Sequence, residues 1–168
     1  QWLAKYAFYR THYLNKDPYT LPIDNKYWQQ EIYLSTANAY EILPSWTTSI
    51  AYDLRWNKLN ANTTNFAYPT RYAHLISIAT AIDTRYIKGQ ASLLMTHIND
   101  HLHFKNLKTE DPLGITRLSP AVFINVPILR AEETITKNGN TALYIRAFAK
   151  QNFRMPTFND LYYTDIGS

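Results

Sequence analysis

Residues 144–167 read YIRAFAKQNFRMPTFNDLYYTDIG, and their first half alternates. Leu143, Ile145, Ala147 and Ala149 fall on one parity, while Arg146, Lys150 and Asn152 fall on the other. Successive side chains of a strand point to opposite faces, so a period of two predicts a strand, drawn here over residues 141–154. Arg154-Met155-Pro156 then breaks the pattern, because Pro156 has no N–H to give to a ladder.

The same alternation recurs upstream and predicts six more strands, at residues 1–13, 31–43, 46–59, 71–82, 86–98 and 117–128. The third is the clearest. Ile50, Tyr52, Leu54 and Trp56 share one face, and Ser49, Ala51, Asp53, Arg55 and Asn57 share the other. The fourth opposes Ile76, Ile78 and Ile82 to Arg71, Ala73, Ser77 and Ala79. The fifth opposes Ile87, Ala91, Leu93 and Met95 to Lys88, Gln90, Ser92 and Thr96, and the sixth Val122, Ile124, Val126 and Ile128 to Arg117, Ser119 and Asn125. In the first two strands Tyr occupies both parities.

Links between these strands differ in kind. Leu43-Pro44-Ser45 and Asp83-Thr84-Arg85 are tight, whereas residues 14–30, 60–70 and 99–116 are long and carry the Pro, Asp and Asn of loops. Long and short links alternate along the first six strands, as they do in outer-membrane barrels. Residues 129–140 fall in a short-turn slot yet run longer. A soluble antiparallel sandwich also alternates apolar and polar positions. Its strands usually run about five or six residues, while about nine to eleven cross a bilayer at a tilt of about 45°. Asp53, Arg55, Lys88 and Arg146 stand in mid-strand on the polar parity, as a hydrated lumen wall requires.

Composition narrows the class. The chain has 168 residues with fourteen Tyr, four Trp, four Gly and no Cys. No stretch approaches the eighteen or so consecutive apolar residues of a membrane helix, but alternation hides a transmembrane barrel from that test. Without Cys there is no disulfide scaffold. The net charge of +4 is scattered, which argues against a nucleic-acid partner. Gln1-Trp-Leu-Ala is strand-like from the start, so an internal piece of a longer protein is expected.

Phe153-Arg-Met-Pro-Thr-Phe-Asn-Asp-Leu-Tyr162 resembles the Arg-x-Pro-x-x-x-Glu/Asp-Leu-Tyr signature of TonB-dependent outer-membrane receptors. Arg154, Pro156, Asp160, Leu161 and Tyr162 stand at the family spacing. The resemblance implies an all-β fold: an antiparallel up-and-down meander of about seven strands, part of a transmembrane β-barrel of about 22 strands around an N-terminal plug. Residues 1–168 would then be a partial barrel domain, lacking the plug, the TonB box and the final strands. It implies energised import of a bulky, scarce nutrient across the outer membrane of a Gram-negative bacterium, coupled to the TonB complex through the plug. Family substrates include ferric siderophores, haem, cobalamin and glycans. Outer-membrane lipid and a small or medium nutrient are the expected partners. The alternative is a secreted soluble β-sandwich that binds carbohydrate through exposed aromatics.

Site candidates follow. The aromatics Tyr19, Tyr27, Trp28, Phe66 and Tyr68, all read as loop residues, are the ligand-binding candidates, since aromatics give large contact area with little entropy to lose. Arg154 and Asp160 are expected to pair at a loop base, with Pro156 pre-setting the turn, a structural role. His97, His101 and His103 form the one group with a metal or haem reading. The plainer reading places them as ordinary residues of an interfacial girdle, with no metal and no cofactor. No enzyme is expected: there is no glycine-rich phosphate loop and no Cys, and Glu110-Asp111 and Glu132-Glu133 are adjacent loop carboxylates.

Overall fold

Long alternating runs joined by tight turns leave each strand hydrogen-bonded to its neighbour in sequence. The computed structural model describes residues 1–16, 22–63, 66–103, 114–129, 143–158 and 161. Its strands are β1 (Trp2–Asn15), β2 (Ile23–Leu43), β3 (Trp46–Ala61), β4 (Thr70–Asp83), β5 (Lys88–His101), β6 (Gly114–Leu129) and β7 (Leu143–Lys150). They form one seven-stranded sheet in sequence order, every pair antiparallel and the sheet not closed. The all-β meander expected from the sequence is therefore present. At one end, here the turn end, Pro44-Ser45 joins β2 to β3. There too, Thr84 N–H donates to the Ile87 carbonyl at 2.9 Å to close the β4–β5 turn. At the other, the loop end, lie residues 16, 22, 62–63, 66–69 and 102–103.

Two boundaries differ from expectation by four residues or more, and the others by three or fewer. β2 begins at Ile23, not at residue 31, so Tyr27 and Trp28 are strand residues rather than loop residues. Asp24-Asn25-Lys26 is polar, but side chains hold its ladder. Lys26 N–H donates to Asn62 Oδ1 at 2.7 Å, and Asn62 Nδ2–H donates to the Asp24 carbonyl at 2.9 Å. β7 ends at Lys150 rather than residue 154. Gln151 N–H still donates to the Pro120 carbonyl at 3.0 Å, and the chain then leaves the ladder. The connection expected at 129–140 lies outside the described residues beyond Leu129.

Directly opposed residues of an antiparallel pair project from the same face, so the register sorts every strand residue. One face carries Lys5, Glu31, Asp53, Arg55, Arg71, Asp83, Lys88, Asp100, Arg117, Arg146 and Lys150 and is the polar face. The other carries the rows Ile50–Ile78–Leu93–Pro120 and Tyr52–Ile76–Met95–Leu118. All four tryptophans, Trp2, Trp28, Trp46 and Trp56, lie on this apolar face. Nothing described covers its middle: Ile50, Ile78 and Leu93 are 46%, 49% and 42% exposed. Polar groups there bond sideways within the face. Trp46 Nε1–H donates to Thr80 Oγ1 at 2.7 Å, and Tyr52 Oη meets His74 Nδ1 at 2.8 Å. Among the described residues, no helix is long and apolar enough to cross a membrane, which says nothing of a barrel.

Candidate functional site

The buried part of the sheet lies on the polar face at the loop end. Arg71, near the start of β4, and Asp100, near the end of β5, are register partners. Arg71 Nε–H donates to Asp100 Oδ1 and Nη2–H to Oδ2, both at 2.6 Å, a two-pronged fork that matches guanidinium to carboxylate. Both side chains are out of solvent, Arg71 4% and Asp100 0% exposed. The third edge of the guanidinium is used as well: Nη1–H donates to the carbonyl of Pro156. Its flat face lies 4.8 Å from the centroid of the Phe158 ring, a cation–π distance. One side chain thus ties the segment after β7 back onto the sheet.

An apolar cluster completes this anchor. Tyr27, Leu59, Ala61, Phe66 and Phe158 are buried together, with Tyr68 packed against them. Phe66 meets Tyr27 edge-on at 5.8 Å and Tyr68 edge-on at 5.5 Å, the geometry that aromatic quadrupoles favour. Tyr68 has φ of 47°, a left-handed conformation uncommon for a residue with a Cβ. Its hydroxyl donates to the Thr63 carbonyl at 2.7 Å, which helps to fix that backbone. Between the sheet and the returning segment lies a cleft of about 400 Å³, lined by Gln29, Glu31, Arg55, Asn57, Met155 and Thr157 with the anchor residues. Its wall offers a carboxylate, a guanidinium and two amides, a donor and acceptor set suited to a polar, hydroxylated or zwitterionic guest. Arg55 also sits 5.3 Å from the Tyr33 ring.

The residues singled out in the sequence fall in several places. Tyr27 and Phe66 belong to the buried cluster and pack against each other, and Tyr68 borders it. Trp28 is on the apolar face of β2, opposite Arg10 and Asn60. Tyr19 lies outside the described residues, as do Asp160 and Tyr162, and with Asp160 the pairing expected for Arg154. Arg154 is exposed, Pro156 contributes its carbonyl to Arg71, and Leu161 is half-buried. The described part of the signature, residues 153–158, therefore lies back over the polar face instead of simply leading outward from β7.

His97 and His101 are both on the apolar face of β5 but four residues apart, about 13 Å along a strand. His97 Nδ1 meets Thr116 Oγ1 at 2.9 Å, and the His101 ring stands edge-on to Tyr72 at 6.0 Å. His103 is beyond the strand, its N–H donating to the Ala67 carbonyl at 3.0 Å. Among the described residues no group of three His, Asp or Glu side chains is placed to hold a metal ion. Sequence reasoning missed the pairing of Arg71 with Asp100, because they are 29 residues apart and only the strand register brings them together. Compared with protein-family models and with curated proteins, the chain matches none.

Proposed function

We propose that the chain is part of the wall of a large transmembrane β-barrel, of about 22 strands, in the outer membrane of a Gram-negative bacterium. The barrel belongs to a TonB-dependent receptor that imports a bulky, scarce nutrient. One observation carries this reading: the sheet has an uncovered apolar face bounded by aromatics and a charged face behind it. From Trp46 to Trp56, β3 rises about 33 Å at about 3.3 Å a residue. At a tilt of about 45° that is about 23 Å of height, close to the apolar band of about 25 Å in outer-membrane barrels. Tyr40 and Trp46 stand near its lower edge and Tyr6, Trp56 and Tyr72 near its upper edge, as interfacial girdles do.

A soluble sandwich would cover the apolar face with a second sheet about 10 Å away, whereas all seven described strands share one sheet. The charged face is then the lumen wall, and the cleft beside Glu31 and Arg55 opens into it. Transport draws on a plug and on the TonB complex outside residues 1–168. The test is uptake by cells lacking the parent gene, with ferric siderophore, haem, cobalamin and oligosaccharide each supplied at limiting concentration. Loss of one uptake, reproduced by depleting the TonB complex, is the expected result. Normal uptake of all four, or a lost uptake insensitive to that depletion, would overturn the reading.

A further inference from the structure

Charge is distributed unevenly on the apolar face. Of the charged strand residues the register places there, Arg10, Asp24, Lys26 and Lys58, every one is at the loop end. The middle and the turn end of that face carry none within the strands. Trp28 stands at the centre of the group: Arg10 is its direct partner on β1, Lys26 is two residues away on β2, and Lys58 is diagonal to it on β3. Lys26 and Arg10 are diagonal neighbours, about 7–8 Å apart. Lys58 lies four register positions from Lys26, about 13 Å along the strands. The three long side chains therefore form a row able to meet neighbouring phosphates. The single carboxylate there, Asp24, borders the group. Its Oδ1 holds His12 Nε2 at 2.6 Å, and its Oδ2 is 3.7 Å from Lys26 Nζ in a solvent-exposed ion pair that leaves the Lys26 ammonium open to a second anion. Among the described residues neither Arg10 nor Lys58 has an ion-pair partner.

We propose that Arg10, Lys26 and Lys58 form a collar that binds the phosphate groups of anionic lipids in the leaflet at the loop end. The proposal rests on the membrane-wall reading. Height supports it. Lys58 is two residues beyond Trp56 and Asn60, level with Arg10, is four beyond. At the rise and tilt used above, that places them about 5 and 9 Å above the upper aromatic edge, in the headgroup layer. An amphipathic Trp28 among three cations matches a lipid whose phosphate lies beside its own acyl chains. A free phosphate supplies the charge but not the chain that holds it against the apolar band.

The intact protein would be placed in vesicles of phosphatidylcholine with a minority of phosphatidylglycerol, and lipid preference at its surface measured by exchange. Preference for phosphatidylglycerol should fall about fivefold for each cation replaced in the series Arg10→Gln, Lys26→Gln, Lys58→Gln, which is about 1 kcal/mol each. The same charge change on the other face, Lys5→Gln with Arg146→Gln and Lys150→Gln, should leave it unchanged, and inorganic phosphate should not compete. Preference retained in the collar variant, equal loss in the other-face variant, or displacement by inorganic phosphate would overturn the proposal. Quenching of Trp56 by brominated phosphatidylcholine, read against Trp56→Phe, separates the two levels. Quenching without lipid preference sinks the collar alone, and absence of quenching sinks the membrane wall with it.

Discussion

The guanidinium of Arg71 meets a carboxylate, a carbonyl and an aromatic ring, and each contact fixes a different part of the chain. Asp100→Asn would leave a buried cation with half its fork and no counter-charge. Breaking such a pair typically costs about 3–5 kcal/mol. The expected outcome is a lower unfolding midpoint and faster protease cleavage within residues 151–158, because the strap loses its anchor. Replacing both partners, Arg71→Met with Asp100→Leu, removes the uncompensated charge, so it should restore much of the midpoint but not the protection of the strap, since the Pro156 carbonyl loses its donor. Equal protection in wild type and both variants would show that Arg71 does not hold the segment.

At the scale of the strands, the two faces make opposite predictions for neighbouring residues. Ile78→Arg puts a charge in the middle of the apolar band and should cost about 2–4 kcal/mol in lipid, whereas Ser77→Arg on the charged face should cost little. Equal costs, measured by refolding into lipid vesicles, would contradict the face assignment. These faces were legible in the sequence, because alternation in β3 to β7 is strict enough that parity and register agree. The first eight residues of β2 were not. Ile23-Asp-Asn-Lys carries the composition of a loop, and its strand state comes from pairing with His12–Asn15 of β1, supplemented by Asn62, which contacts it from 36 and 38 residues away. β7 was read too long for the converse reason: alternation continues to Asn152, but the pull of Arg71 and Phe158 lifts the chain off β6 after Gln151. The anchor itself was half visible. Pro156 marks a departure from the ladder, yet only pairing β4 with β5 shows where the departing chain lands.

On the scale of the whole molecule, β1 and β7 each leave one edge unpaired among the described residues. In hydrocarbon each unpaired N–H or C=O costs several kcal/mol, and a spanning edge exposes on the order of ten such groups. That exceeds the roughly 5–15 kcal/mol of stability of a typical domain. Residues 1–168 alone should therefore aggregate through their edges rather than insert as a monomer. A protease-protected monomer in vesicles, with strand content like that of the intact protein, would contradict this. The central claim, that one face meets lipid and the other water, is tested most directly by spin labels at Tyr52 and Asp53 in the intact protein reconstituted in a bilayer. The account predicts that the label at 52 collides with oxygen dissolved in the lipid, while the label at 53 collides with a water-soluble relaxation agent. Equal water accessibility at the two positions would contradict it.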